Sequence, residues 1–148
     1  MKTSLLDVNL LIALAWPSHI HYEQAHAWFA DNAAFGWATC PVTQCGFVRV
    51  SSNPKIIADA VSPKEALSVL NGIVSMENHV FWPDSIPLSE SSYIPANLLI
   101  GHRQVTDAYL LGLAISNNGQ LATMDKRISS LLPPDSPFLD ALETVPLD

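Results

Sequence analysis

One run in this chain is apolar on every helical face, and it limits the available folds more than any other feature. Ala108, Tyr109, Leu110, Leu111, Gly112, Leu113, Ala114 and Ile115 follow one another without a charged or amide side chain. A helix of that composition needs cover all round, so it belongs inside a layered domain and not on a bundle's wet face. Asn117, Asn118 and Gly119 end it with residues that tolerate the left-handed region. Gln120 to Thr123 then reads as a short strand, and Asp125 as the cap of a further helix over Lys126 to Leu132. A helix of about ten residues descends about 15 Å, and about five strand residues climb back a similar distance. Asp107, at the head of the helix, and Asp125, past the end of the strand, are therefore predicted at one edge of a sheet.

The start of the chain supplies a third acid for that edge. Thr3 to Leu6 reads as a buried strand with Asp7 at its carboxyl end, and Asn9 to Trp16 as an apolar helix. Further on, the pattern predicts a helix over Tyr22 to Asn32, a strand over Gly36 to Cys40 and a helix over Val42 to Ser51 with Gln44 in its first turn. Ser62-Pro63 opens a helix running to about Met76. His79 to Trp82 reads as a strand, Pro83 to Asn97 as a Ser- and Pro-rich path over the surface, and Glu143 to Val145 as a last edge strand. Strands and helices alternating in this way predict a three-layer α/β/α sandwich with a mostly parallel sheet, one domain spanning residues 1–148.

In open sheets of this kind the binding crevice lies outside the carboxyl ends of the strands, which puts Asp7 and Asp125 in one site. Three converging acids, with no basic residue directly beside Asp7 or Asp107 in the sequence, repel one another unless a cation joins them. Ligation by oxygen alone suits Mg²⁺ or Mn²⁺. Neither GxGxxG nor GxxxxGK[ST] occurs, so dinucleotide and P-loop phosphate cradles are not indicated.

A formal charge of −7 with only seven Lys and Arg opposes a broad electrostatic footprint on nucleic acid, and confines any such contact to a local, metal-assisted one. The 49% hydrophobic content holds no run of membrane-spanning length, and the opening MKTSLLD is charged too early for a signal peptide, so a cytoplasmic protein with no membrane partner is expected. Cys40 and Cys45 both read as buried hydrophobes and not as a disulfide pair. His19, His21 and His26 lack the soft ligands and fourth partner of a zinc site. Tyr22, Ala25, Trp28 and Phe29 form a stripe suited to the core or to a dimer surface.

Three blocks, LLDVNLLIAL, WATCPVTQCGFVRVSSNP and GHRQVTDAYLLGLAISNNGQLATMDKRI, resemble the PIN-domain family, in particular VapC-type toxins of bacterial toxin-antitoxin pairs. The resemblance spans nearly the whole chain, with its blocks in family order. It implies a PIN-like fold and a Mg²⁺-dependent (or Mn²⁺-dependent) endoribonuclease that hydrolyses RNA and is restrained by a cognate antitoxin protein; a homodimer is expected besides. The family acids fall on Asp7, Asp107 and Asp125 as catalytic and metal residues. Asp7 and Asp107 are expected to hold the metal, and Asp125 either to hold it or to act as general base. Gln44 stands where many members carry Glu. Thr106 and Thr123 are expected to hydrogen-bond the carboxylates, with Asn9 and Gln44 adjoining the site. Arg103, His102 and Arg49 are candidates for phosphate contact. The residues by themselves leave two other classes open. One is an aspartyl-nucleophile phosphatase, although Asn9 stands where its second Asp belongs. The other is a non-catalytic acidic pocket for a basic partner.

Overall fold

The computed structural model describes residues 2–89, 92–94 and 99–147. At its centre β1 (Ser4–Leu6), β2 (Trp37–Thr39), β3 (His79–Phe81), β4 (Gln120–Thr123) and β5 (Leu142–Thr144) lie in the order β3-β2-β1-β4-β5, and every pairing is parallel. Parallel neighbours oblige the chain to cross back between strands. Those returns contain α1 (Val8–Ala15), α2 (Tyr22–Asn32), α3 (Pro41–Ser51), α4 (Pro63–Val74) and α5 (Val105–Ser116). The outcome is the three-layer sandwich that the alternation predicts, with a sheet that is wholly and not just mostly parallel.

Because strand side chains alternate, each strand feeds two cores. Leu5, Ala38 and Leu121 point to the face covered by α5, while Leu6, Trp37 and Ala122 point to the face where α1 brings Leu10 and Leu11, α2 brings Ala25 and Trp28, α3 brings Phe47 and α4 brings Leu70. All eight residues from Ala108 to Ile115 are buried, as their composition requires. The outer cover of α5 comes partly from the chain after β3. There Ile94 is buried, and a Cβ on Gly112 would lie 2.7 Å from Ile94 Cγ1. The expected surface path over Pro83 to Asn97 is thus corrected at Ile94, which turns inward to cap the apolar helix; 90–91 and 95–97 lie outside the described residues.

The element ends follow local chemistry. Asp7 caps α1 by accepting from Leu10 N at 2.9 Å, Pro41 and Pro63 occupy the first turns of α3 and α4, and Ser62 accepts from Glu65 N at 3.1 Å. Asn118 turns left-handed at φ 56°, so that Gly119 N can donate to Ala114 O at 2.8 Å and close α5. A Cβ on Gly119 would lie 2.6 Å from Thr3 O and 2.5 Å from the Trp82 ring.

Two further expectations are corrected. The span after Asp125 is a 3-10 helix, Lys126–Leu131, and not an α-helix. The Ser129 and Ser130 hydroxyls donate to Lys126 O and Arg127 O, which competes with a regular ladder, and Pro133 follows directly after the cap residue Leu132. Cys45 is exposed on α3, while Cys40 is buried, and both are free. No helix among the described residues is long and apolar enough to cross a membrane.

Candidate active site

The strand order reverses direction at β1: the chain goes from β1 to β2 on one side and later reaches β4 on the other. A crevice is expected outside the carboxyl ends of the two strands that flank this reversal. Asp7 directly follows β1, and its backbone N donates to Ala122 O of β4 at 3.1 Å. Asp125 lies two residues beyond β4, and Asp107 is in the first turn of α5, whose apolar body fixes its head at the same edge.

Asp7 is 5% exposed. Its Oδ1 accepts from Leu10 N at 2.9 Å, and its Oδ2 accepts from the Thr123 hydroxyl at 2.5 Å. Burial drives the carboxyl from its ordinary 3.8 up to about 6, against the lowering by those two hydrogen bonds, and the charges of Asp107 and Asp125 push it further the same way. Asp107 is also raised, first by burial and then by Asp125, with Arg127 opposing. Asp125 goes the other way: hydrogen bonds from Arg127 hold it below the usual carboxylate range. Asp7 thus feels both of the other acids, and Asp107 feels Asp125. Thr123 ties two of them together, its hydroxyl donating to Asp7 and accepting from Asp125 N at 3.0 Å.

Beside Asp107 and Asp125 opens a cleft of about 300 Å³, lined also by Arg103, Gln104, Arg127, Ile128 and Ser130. Arg127 is the residue that the sequence reading passes over. Its Nε and Nη2 donate to the two oxygens of Asp125 at 3.1 and 3.0 Å, and its backbone N adds a third bond at 2.9 Å. The three acids are therefore not without a basic neighbour, although none stands beside Asp7 or Asp107 in the sequence. The available signal was the Lys126-Arg127 pair directly after the acid in TMDKRI.

Other candidates fall unevenly. Arg103 lines the cleft, whereas His102 is exposed and does not. Arg49 is corrected: it sits in the last turn of α3, a helix that starts at the carboxyl edge of β2 and carries Arg49 about 12 Å back toward the other edge. Thr106 is exposed and has no side-chain hydrogen bond to the acids among the described residues, so the expected role in ordering them falls to Thr123 alone. Asn9 is exposed on α1. Gln44 lies in the first turn of α3, and its Nε2 donates to Thr39 Oγ1 at 3.0 Å; that hydroxyl also pairs with His79 Nε2 at 2.7 Å.

Among the described residues no three His, Cys, Asp or Glu side chains stand in a ready metal-holding group, and Arg127 occupies both oxygens of Asp125. The donor set nevertheless fits a hard divalent cation. It offers carboxylate oxygens only, and two of the three acids are desolvated and mutually repelled in its absence.

A parallel five-stranded α/β/α sandwich with aspartates gathered at the β1/β4 reversal defines a PIN-like protein. Ribonuclease VapC39 of Mycobacterium tuberculosis is 42% identical over 127 residues, 86% of this chain and 91% of that protein. Ribonuclease VapC38 of the same organism is 46% identical over 128 residues, covering 86% and 89%. The chain belongs to the VapC family. No protein-family model matches it. Among solved structures, VapBC2 from Rickettsia felis, bound to a DNA fragment from its promoter, shares the fold at a TM-score of 0.64 and 15% identity over 97% of this chain and 99% of that one. DNA-bound VapBC from Salmonella typhimurium does so at 0.60 and 16%, over 90% and 94%.

Proposed function

We propose that this protein is a Mg²⁺-dependent endoribonuclease, the toxin of a toxin-antitoxin pair, which hydrolyses RNA phosphodiester bonds at the β1/β4 edge. The observation that carries the reading is the coupling of three aspartates from three separate segments around a carboxylate that burial holds near pH 6. The names of the relatives, ribonucleases at 39–46% identity over most of the chain, support it. Asp7 and Asp107 would hold Mg²⁺ or Mn²⁺; when bound, the ion supplies a Lewis acid for the phosphate and a low-pKa water as nucleophile.

The chain's own residues do the positioning. Thr123 and Leu10 N each hold one oxygen of Asp7, so the carboxylate is fixed in place. Asp125, the acid with the lowered pKa, is ionised at neutral pH and joins the ligands or accepts the proton of the attacking water. Arg103 at the cleft wall is placed for a phosphate oxygen. With a charge of −7 the grip on RNA is local. A cognate antitoxin restrains the enzyme by bringing a Lys or Arg to the acidic edge, which relieves the same repulsion that the metal relieves. The toxin works as a homodimer in the cytoplasm.

The test is cleavage of RNA by the purified chain with Mg²⁺ and with EDTA, alongside Asp107→Asn. Cleavage that needs Mg²⁺ and is lost in the variant is expected. Equal cleavage in EDTA, or an Asp107→Asn variant as active as the wild type, overturns the proposal.

A further inference from the structure

Arg127 meets Asp125 through a two-pronged contact, the geometry in which a guanidinium satisfies both oxygens of a carboxylate. Such a carboxylate has its charge matched and its best donor directions taken. The Arg127 side chain is 86% exposed, against 29% for Asp125, so water competes for the guanidinium throughout. Exposed pairs of this kind hold weakly and open readily. Both residues line the same cleft as Asp107 and Arg103. Arg127 therefore sits where a divalent cation bound by the aspartates would compete for its partner, and where a phosphate entering the cleft would offer it a new one.

We propose that Arg127 is a displaceable counter-ion: closed on Asp125 in the metal-free chain, released when a divalent cation takes that carboxylate, and then available at the cleft mouth to bind an RNA phosphate. The inference rests on the metal-dependent ribonuclease reading and adds to it an order of events. Without metal the guanidinium is engaged on Asp125 and RNA finds a poorer site; with metal the same guanidinium turns outward beside Arg103, and the cleft wall gains a positive charge. Arg127 thus opposes metal binding and favours substrate binding, two effects of opposite sign from one side chain. A residue that merely braces the loop would weaken both.

The experiment uses the full chain and Arg127→Gln, a change at an exposed position. The dissociation constant for Mn²⁺ is measured by calorimetry, and that for a short fluorescein-labelled single-stranded RNA by anisotropy, with Ca²⁺ replacing Mg²⁺ to suppress cleavage. Arg127→Gln should bind Mn²⁺ about two- to fivefold more tightly, the range an exposed ion pair allows. It should bind RNA more weakly, with a salt dependence reduced by about one phosphate contact. Arg127→Lys, which keeps the charge and loses the fork, should recover most of the RNA affinity. Unchanged or weaker Mn²⁺ binding by Arg127→Gln overturns the counter-ion role while leaving the ribonuclease reading intact. Failure of the wild-type chain to bind Mn²⁺ overturns both.

Discussion

Asp7→Asn should stabilise the metal-free protein at neutral pH, though it removes a residue proposed to hold the metal. The folded carboxyl titrates at about 6 and its ordinary value is 3.8, mainly because burial strips it of water. Between those values the folded chain keeps a proton that the unfolded chain releases. The stability this provides is fully present below pH 3.8 and is lost as pH rises through about 6. At about 1.36 kcal/mol for each pH unit of that gap, an ionised Asp7 costs the metal-free fold about 3 kcal/mol above pH 6. Asn removes the charge and keeps the shape. Its carbonyl oxygen can still accept from Leu10 N, its amide can donate to Thr123 Oγ1, and Asn caps helices as well as Asp does. For a chain of this size about 3 kcal/mol corresponds to roughly 6–12 °C in melting temperature, an upper figure because a charge-assisted bond becomes a neutral one. Thermal scans in EDTA at neutral pH should show Asp7→Asn melting several degrees higher, and scans near pH 4 should bring the two proteins together. Saturating Mg²⁺ should also close the gap, since a ligand at about a hundred times its dissociation constant adds about 2.7 kcal/mol to the wild type alone. An Asp7→Asn variant that melts at or below the wild type in EDTA at neutral pH would show that Asp7 is not held against its own charge.

Other outcomes follow from individual contacts. Gly119→Ala should destabilise the fold by about 1–3 kcal/mol, because the new methyl meets the fixed Thr3 carbonyl at 2.6 Å; an unchanged denaturant midpoint would contradict this. Phe47→Ala, at a fully buried α3 position, should cost about 3–5 kcal/mol in urea unfolding, and a loss under about 1 kcal/mol would mean that the site is not packed as described. Gln44→Glu replaces a donor to Thr39 with an acceptor, so the Thr39 hydroxyl must turn to Glu and His79 must supply the other proton. The His79 pKa, now lowered by burial, should rise, and an NMR titration that superimposes on the wild type would exclude the shared hydroxyl.

How much was legible in the sequence depended on whether the cause was local. The all-apolar stretch Ala108–Ile115 required a layered fold, because a helix without a polar face has no other stable place, and the turn residues after it returned the chain to the sheet. Hence Asp7, Asp107 and Asp125 were readable as neighbours from lengths and topology alone. The caps at Ser62 and Asn118 were readable for the same reason. Only the tertiary structure decided which polar groups meet across segments. Thr123 reaches Asp7 because β4 lies beside β1, and Thr106 does not because its side chain leaves the first turn of α5 toward solvent. Arg49 is carried away from the site by the length of α3, while Arg127 folds back onto Asp125 because the 3-10 turn after β4 brings position 127 over the carboxylate that caps it. Side-chain pairing depends on directions that a one-dimensional pattern does not encode. The burial that raises Asp7 likewise exists only once five strands and both helical layers have closed around it.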